Sequence, residues 1–164
     1  MITLLEKAKQ YNNNVAIISN EKEYLYSDLI DQSDSYARLL LNGDNDLAEA
    51  RVAFMIQPGF DYVKVQWAIW KAGGVVVPLC LTHPFPSLQY YIEDTQASII
   101  IVNAIFASLF VDYCKENCIR LIIIEEENTI IETALPTIYL LRPAMILYTS
   151  GITFTRRERR FPLF

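Results

Sequence analysis

Tyr148-Thr149-Ser150-Gly151-Ile152-Thr153 places hydroxyl residues around a glycine at the end of the apolar run Ala144-Met145-Ile146-Leu147. These are the residue types that bind phosphate. Glycine lets the backbone approach an anion closely, while amide N–H groups and short hydroxyls aim donors at its oxygens. Thr149, Ser150, Gly151 and Thr153 are therefore the candidate phosphate-binding residues. The next stretch, Phe154-Thr155-Arg156-Arg157-Glu158-Arg159-Arg160-Phe161, sets four arginines around a glutamate and continues no such cradle. No residue is assigned a catalytic role.

Other chemistry-bearing residues read as structural. Cys80, Cys114 and Cys118 are an odd count in a chain without an export signal, which argues against a disulfide framework. Joining Cys114 and Cys118 to the single histidine, His83, leaves a metal site short of a fourth ligand, so core thiols are expected and no metal site is assigned. His83-Pro84 reads as a turn. Trp67 and Trp70 fall at helical spacing with Phe60 and Val63 and are expected in the core. Lys71 is expected at a helix end, favoured by the dipole. Glu125-Glu126-Glu127-Asn128 reads as a solvated loop.

The elements that would position the Thr-Ser-Gly turn alternate along the chain. A short helix through Leu4, Leu5 and Ala8 precedes a β-hairpin of Val15-Ala16-Ile17-Ile18-Ser19 with Tyr24-Leu25-Tyr26. Ser27 is placed as the N-cap of a helix carrying Asp28 and Asp31 in its first turn and closed by Asn42-Gly43. Strands are expected at 51–56, 75–79, 98–102, 119–124 and 144–148, and helices at 60–72, 87–94 and 105–116. In the helix over 60–72, Asp61, Lys64 and Lys71 share a strip with Ala68, opposite Phe60, Val63, Trp67 and Trp70. Continuous apolar strands separated by helices indicate the α/β class: a mostly parallel sheet flanked by helices, with an N-terminal β-hairpin.

Composition narrows the function. A chain of 164 residues, 52% hydrophobic and 20% charged, can bury one core. A net charge of −5 argues against a general nucleic-acid binder. No apolar run reaches the roughly 18–20 residues of a membrane span, and a cytoplasmic protein is expected.

Several segments, in order, resemble the adenylate-forming (AMP-binding) superfamily of acyl-CoA synthetases, peptide-synthetase adenylation domains and luciferases. They are Tyr24-Leu25-Tyr26-Ser27-Asp28-Leu29, Arg51-Val52-Ala53-Phe54, Trp70-Lys71-Ala72-Gly73-Gly74-Val75-Val76-Val77-Pro78-Leu79, and His83-Pro84 followed by Leu88, Tyr90-Tyr91, Asp94 and Ser98. Tyr148-Thr149-Ser150-Gly151 is similar to the opening of that family's phosphate loop, which continues as two threonines, glycine, a variable residue, proline, lysine and glycine. Thr153 fits that pattern and Ile152 does not. Phe154, Thr155, Arg156 and Glu158 depart from it, and Arg157 falls at the lysine position. His83-Pro84 is similar to the malonyl-CoA synthetase branch.

The resemblance implies an ATP-dependent ligase of fatty acid metabolism. A carboxylic acid substrate would attack the α-phosphate of ATP, with Mg²⁺ bridging phosphates, and coenzyme A would then take the acyl group. It also implies that 1–153 is the N-terminal part of an AMP-binding domain and 154–164 a non-homologous basic tail. The expectation is a truncated fragment, interrupted by a frameshift, an early stop or a gene-model error, that is inactive alone, binds none of these cofactors and is prone to non-specific self-association. The alternative is a non-catalytic interaction module in which the α/β piece meets another subunit and the tail an acidic surface, against an unstructured tail. An independent Rossmann-like domain is disfavoured, since no Gly-x-Gly-x-x-Gly follows an early strand.

Overall fold

The computed structural model describes residues 3–126, 131–139, 141–149 and 157–162, with Thr3, Thr149 and 157–162 described by their backbone alone. Helix α1 (Thr3–Ala8) leads into an antiparallel hairpin, β1 (Val15–Ser19) and β2 (Lys22–Leu25). Then follow α2 (Tyr26–Leu41), β3 (Arg51–Met55), α3 (Phe60–Lys71), β4 (Val75–Pro78), α4 (Phe85–Thr95), β5 (Ile99–Val102), α5 (Val111–Glu116), β6 (Arg120–Ile123), β7 (Pro143–Thr149) and β8 (Arg157–Pro162). The large sheet runs β6-β5-β3-β4-β7-β8, parallel through β7, with β8 antiparallel at one edge.

Successive side chains of a strand point to opposite faces, so the uninterrupted apolar strands feed two cores. Val52, Phe54, Val76 and Ile101 pack against α2 and α3. Ala53, Met55, Val77, Ile100 and Val102 pack against α4 and α5. At roughly 1.5–3 kcal/mol for each buried Val, Ile, Leu or Phe side chain, these layers hold the sheet that carries β7. The α/β class, the mostly parallel sheet and the hairpin are as the sequence indicates.

Several local expectations differ. Ser27 is not an N-cap: α2 begins at Tyr26, and the Asp28 carboxylate reaches back to accept the Leu25 N–H at 2.8 Å. A carboxylate three residues inside a helix serves an orphan donor as well as a hydroxyl at the cap does. The segment 105–116 is not one helix but a 3-10 helix, Ala104–Leu109, followed by α5. The break falls at Phe110, whose side chain is fully buried against Phe85. The strip that Asp61, Lys64 and Lys71 share with Ala68 is covered: Ala68 is buried and the Lys64 and Lys71 side chains are only 13% and 10% exposed, because α2 packs along that side of α3. Of the cysteines only Cys114 is buried, its thiol pushed up to about 11 by burial; Cys80 and Cys118 are exposed. Cys118 has left the helix, at φ +54.

The basic tail is not free of structure. The backbone of Arg157–Pro162 pairs with β7, from Thr149↔Arg157 to Pro143↔Pro162. Strand addition of this kind needs only backbone N–H and C=O groups, so it tolerates a sequence unlike any strand pattern.

Burial also creates a testable pH response. The Tyr36 hydroxyl has no hydrogen-bond partner among the described residues, and burial raises its pKa, with Asp61 adding to the effect. The unfolded chain ionises first, near pH 10, so the stability this group contributes is present below that pH and lost above it. Tyr36→Phe is expected to leave urea stability at pH 7 within about 1 kcal/mol of wild type and to flatten the decline above pH 10. A residual slope from Tyr62 and Tyr113, also raised by burial, is expected to remain.

Candidate functional site

Thr149, the first of the candidate phosphate-binding residues, is the last residue of β7, so the contacts that hold β7 come first. At its start, Arg142 and Asp46 form a two-pronged ion pair with both N···O distances 2.8 Å. The Arg142 guanidinium holds the Asp46 carboxyl below its ordinary range, and Asp46 also accepts the Ala48 N–H at 2.8 Å. The pair rests against the turn between α3 and β4, where Gly73 sits at φ +85. One residue into the strand, the Trp70 indole N–H donates to the Ala144 carbonyl at 2.8 Å. Trp70 is half-buried and Trp67 buried, so both tryptophans are structural, as their spacing indicates. Trp70→Phe is expected to cost about 1 kcal/mol in urea denaturation by leaving that carbonyl without its donor.

At the other end, the Tyr148 hydroxyl donates to Asp94 Oδ2 at 2.5 Å, and its ring lies 4.3 Å from that of Tyr91. The Tyr91 hydroxyl is 3.2 Å from His83 Nδ1. Thr149 is the last residue of β7 and pairs with Arg157. Its position at the carboxyl end of a parallel strand matches the general rule that open α/β sheets bind ligands beyond those ends. Ser150, Gly151 and Thr153 lie outside the described residues.

Elsewhere, Lys71 and Glu125 are engaged within the fold. The Lys71 ammonium donates to Asp34 Oδ1 (2.5 Å), Ser33 Oγ (2.7 Å) and the Ile30 carbonyl (3.0 Å). Burial lowers its pKa despite the Asp34 partner. The expected helix-end position is correct, but packing against α2, and not the dipole alone, holds the charge. A cleft of about 280 Å³ beside it is lined by Leu5, Ile30, Leu135 and Ile138, with Lys9, paired to Glu6 at 3.1 Å, and Lys71 at its edge. Glu125 is more than a solvated acid: its two oxygens accept Asn103 Nδ2 (2.7 Å) and the Ala104 N–H (2.8 Å), tying β6 to the start of the 3-10 helix. Glu127 and Asn128 lie outside the described residues. Among the described residues no group of His, Cys, Asp and Glu could hold a metal ion, and no helix is long and apolar enough to cross a membrane.

Asp46, Arg142 and the role of Asp94 were not visible in sequence. Arg142 lies 96 residues from Asp46, and Tyr148 lies 54 from Asp94. Only the Pro143 that starts β7 marks the place.

A family model described as "AMP-binding enzyme" matches residues 4–154. The chain is 24% identical to the mitochondrial malonate–CoA ligase ACSF3 of Xenopus laevis, over 93% of this chain and 29% of that enzyme. It is 30% identical to N-(5-amino-5-carboxypentanoyl)-L-cysteinyl-D-valine synthase of Penicillium rubens, over 84% of this chain and 4% of that protein. Among solved structures, the o-succinylbenzoate CoA synthetase of Bacillus subtilis in complex with its acyl-adenylate intermediate shares the fold at a TM-score of 0.78 and 17% identity, covering 96% of this chain and 41% of that one. The chain thus spans under a third of the malonate–CoA ligase. With a parallel sheet whose β7 runs into Thr149-Ser150-Gly151, and a match over nearly its full length, this chain belongs to the AMP-binding family of adenylate-forming ligases.

Proposed function

We propose that these residues form the N-terminal part of an acid–thiol ligase that adenylates a carboxylic acid with ATP and passes the acyl group to coenzyme A. The observation that carries this reading is the family match over residues 4–154, which takes in β7 and the Thr149-Ser150-Gly151 sequence at its end. Thr149, Ser150, Gly151 and Thr153 would hold the pyrophosphate portion of ATP through N–H and O–H donors. ATP supplies the activated phosphoryl group and the leaving group. Pyrophosphate departs with high charge, so donors fixed before reaction are worth more than mobile water. Malonate is the first acid to test, because the ACSF3 relative is named for it.

The 164-residue polypeptide by itself is proposed to be inactive, with 1–153 as the family part and 154–164 outside it. Pyrophosphate exchange with ATP across a panel of acids, malonate included, is expected at background; exchange above background overturns the inactivity. Translation of the other reading frames past codon 153 is expected to reveal a glycine, proline, lysine, glycine continuation. Its absence from every frame removes the frameshift explanation. Tagged protein is expected in the cytosolic fraction, and recovery with mitochondria would replace that compartment by the one named for the ACSF3 relative.

A further inference from the structure

We propose that the cleft between α1, α2, α3 and residues 135–138 binds a free amino acid with an apolar side chain, held as its zwitterion. None of the described residues lining it belongs to a strand. The site is therefore separate from the carboxyl end of β7, where Thr149 lies, and does not depend on the ligase reading. Its interior is apolar: α1 contributes Leu5, α2 contributes Ile30, and the chain at 135–138 adds Leu135 and Ile138. Those walls are fixed. Leu5 and Ile138 are buried within one cluster, and Leu135 packs on another. At about 280 Å³ the cleft has the volume of roughly nine water molecules, taking ~30 Å³ for each. That is the lower end of ordinary ligand pockets and suits one small apolar group.

The rim carries both signs of charge. Ile30 and Asp34 are four residues apart on α2 and share a face, so an acid stands beside the apolar wall. Asp34 Oδ1 takes the Lys71 ammonium, and its other oxygen, on a side chain 34% exposed, remains to accept from a ligand N–H. Lys9 lines the same cleft. Its described partner is Glu6, at 3.1 Å, and an exposed pair of this kind holds weakly, so the ammonium is available to a carboxylate. Lys9 stands near enough to Lys71 to oppose its charge, an opposition that an anion bound beside Lys9 relieves. Lys71 itself is not a ligand contact, since Asp34, Ser33 and the Ile30 carbonyl take its three N–H groups. A ligand of single charge meets a rim group of its own sign: a carboxylate faces Asp34, and an amine faces Lys9. An α-amino acid carries ammonium and carboxylate on one carbon and answers both, while its side chain enters the cleft.

Methyl NMR of the 164-residue chain, labelled at leucine and isoleucine, tests this with L-leucine as the probe. Saturable shifts are expected at Leu5, Ile30, Leu135 and Ile138, with a Kd of about 10 mM or tighter for a ligand of this size. Isocaproate, which lacks the ammonium, and isoamylamine, which lacks the carboxylate, are each expected to bind at least fivefold more weakly. Lys9→Gln, a change at an exposed position, is expected to weaken L-leucine at least threefold and to leave isoamylamine unchanged. Absence of saturable shifts at these methyls up to about 50 mM L-leucine overturns the proposal. So does isocaproate or isoamylamine matching L-leucine, or a Lys9→Gln variant that binds L-leucine as wild type does. Leucine bound elsewhere, with Ile30 and Ile138 unmoved, overturns it equally.

Discussion

Gly73→Ala is expected to destabilise the chain by about 3 kcal/mol, the sum of a strained backbone and a disrupted ion pair. At φ +85 an alanine is held in a region L-residues rarely adopt, and such a residue costs on the order of 1–3 kcal/mol. Space is the second cost. A Cβ at this position would lie 2.1 Å from Asp46 Oδ1 and 2.8 Å from the Arg142 guanidinium. The carboxylate cannot step aside cheaply, because Arg142 and the Ala48 N–H both hold it. Nor can the turn move freely: the Leu47 N–H donates to the Ala72 carbonyl and the Glu49 N–H to that of Gly73, each at 2.9 Å. A double-mutant cycle separates the two costs. In an Asp46→Ala background the carboxylate clash is gone and Arg142, the flexible side chain left without its partner, can move aside, so Gly73→Ala is expected to cost chiefly the backbone strain, about 1–2 kcal/mol. Urea denaturation of the four proteins gives the numbers. A Gly73→Ala protein within 0.5 kcal/mol of wild type, a shift typical of a bland surface site, would mean that neither cost is real.

The same glycine shows what sequence alone reveals. Gly73-Gly74 after an amphipathic run is legible as a helix stop, because the need for positive φ is local. That Gly73 must also leave room for Asp46 and Arg142 is not legible, because those partners are brought together only by the sheet order. The parallel sheet was readable from Val52 to Phe54, Val75 to Val77 and Ile99 to Val102, strands apolar at every position since both faces are covered. The pairing of β8 was not, since arginine-rich residues give no strand signal when the backbone alone does the pairing. The partners of Lys64 and Lys71 were not legible for a related reason. Periodicity marks a polar face, but a long side chain can bury its stem and carry the charge to a partner on the next helix. For the candidate site, residue types pointed to Thr149, Ser150, Gly151 and Thr153, while the residues supporting their strand emerged only from contacts distant in sequence.

Lys71 provides the second large effect, and its size depends on which partner is removed. Asp34→Ala is expected to cost about 2–3 kcal/mol, because it leaves a buried ammonium with only a hydroxyl and a carbonyl for compensation. Lys71→Met is expected to cost less than about 1 kcal/mol, since an apolar chain of similar length fills the space and removes the charge that needed compensation. After that change Asp34, whose side chain is 34% exposed, can turn to solvent, and Ser33 keeps its bonds to the Leu29 and Ile30 carbonyls. The double variant is then expected to match Lys71→Met. The pH response gives an independent check. Burial already lowers the Lys71 pKa in the folded chain, and removing Asp34 removes the main influence opposing that shift. A lysine whose folded pKa lies below its unfolded value of about 10.4 is neutralised first in the folded state. Over that interval the unfolded chain binds more protons, so stability rises with pH. Asp34→Ala is therefore expected to recover part of its lost stability as pH climbs from 8 toward 10, below the tyrosine transition, while Lys71→Met shows no such recovery. Equal destabilisation by Asp34→Ala and Lys71→Met, with parallel pH profiles, would show that the ammonium is solvated through the adjoining cleft and that its charge never depended on Asp34.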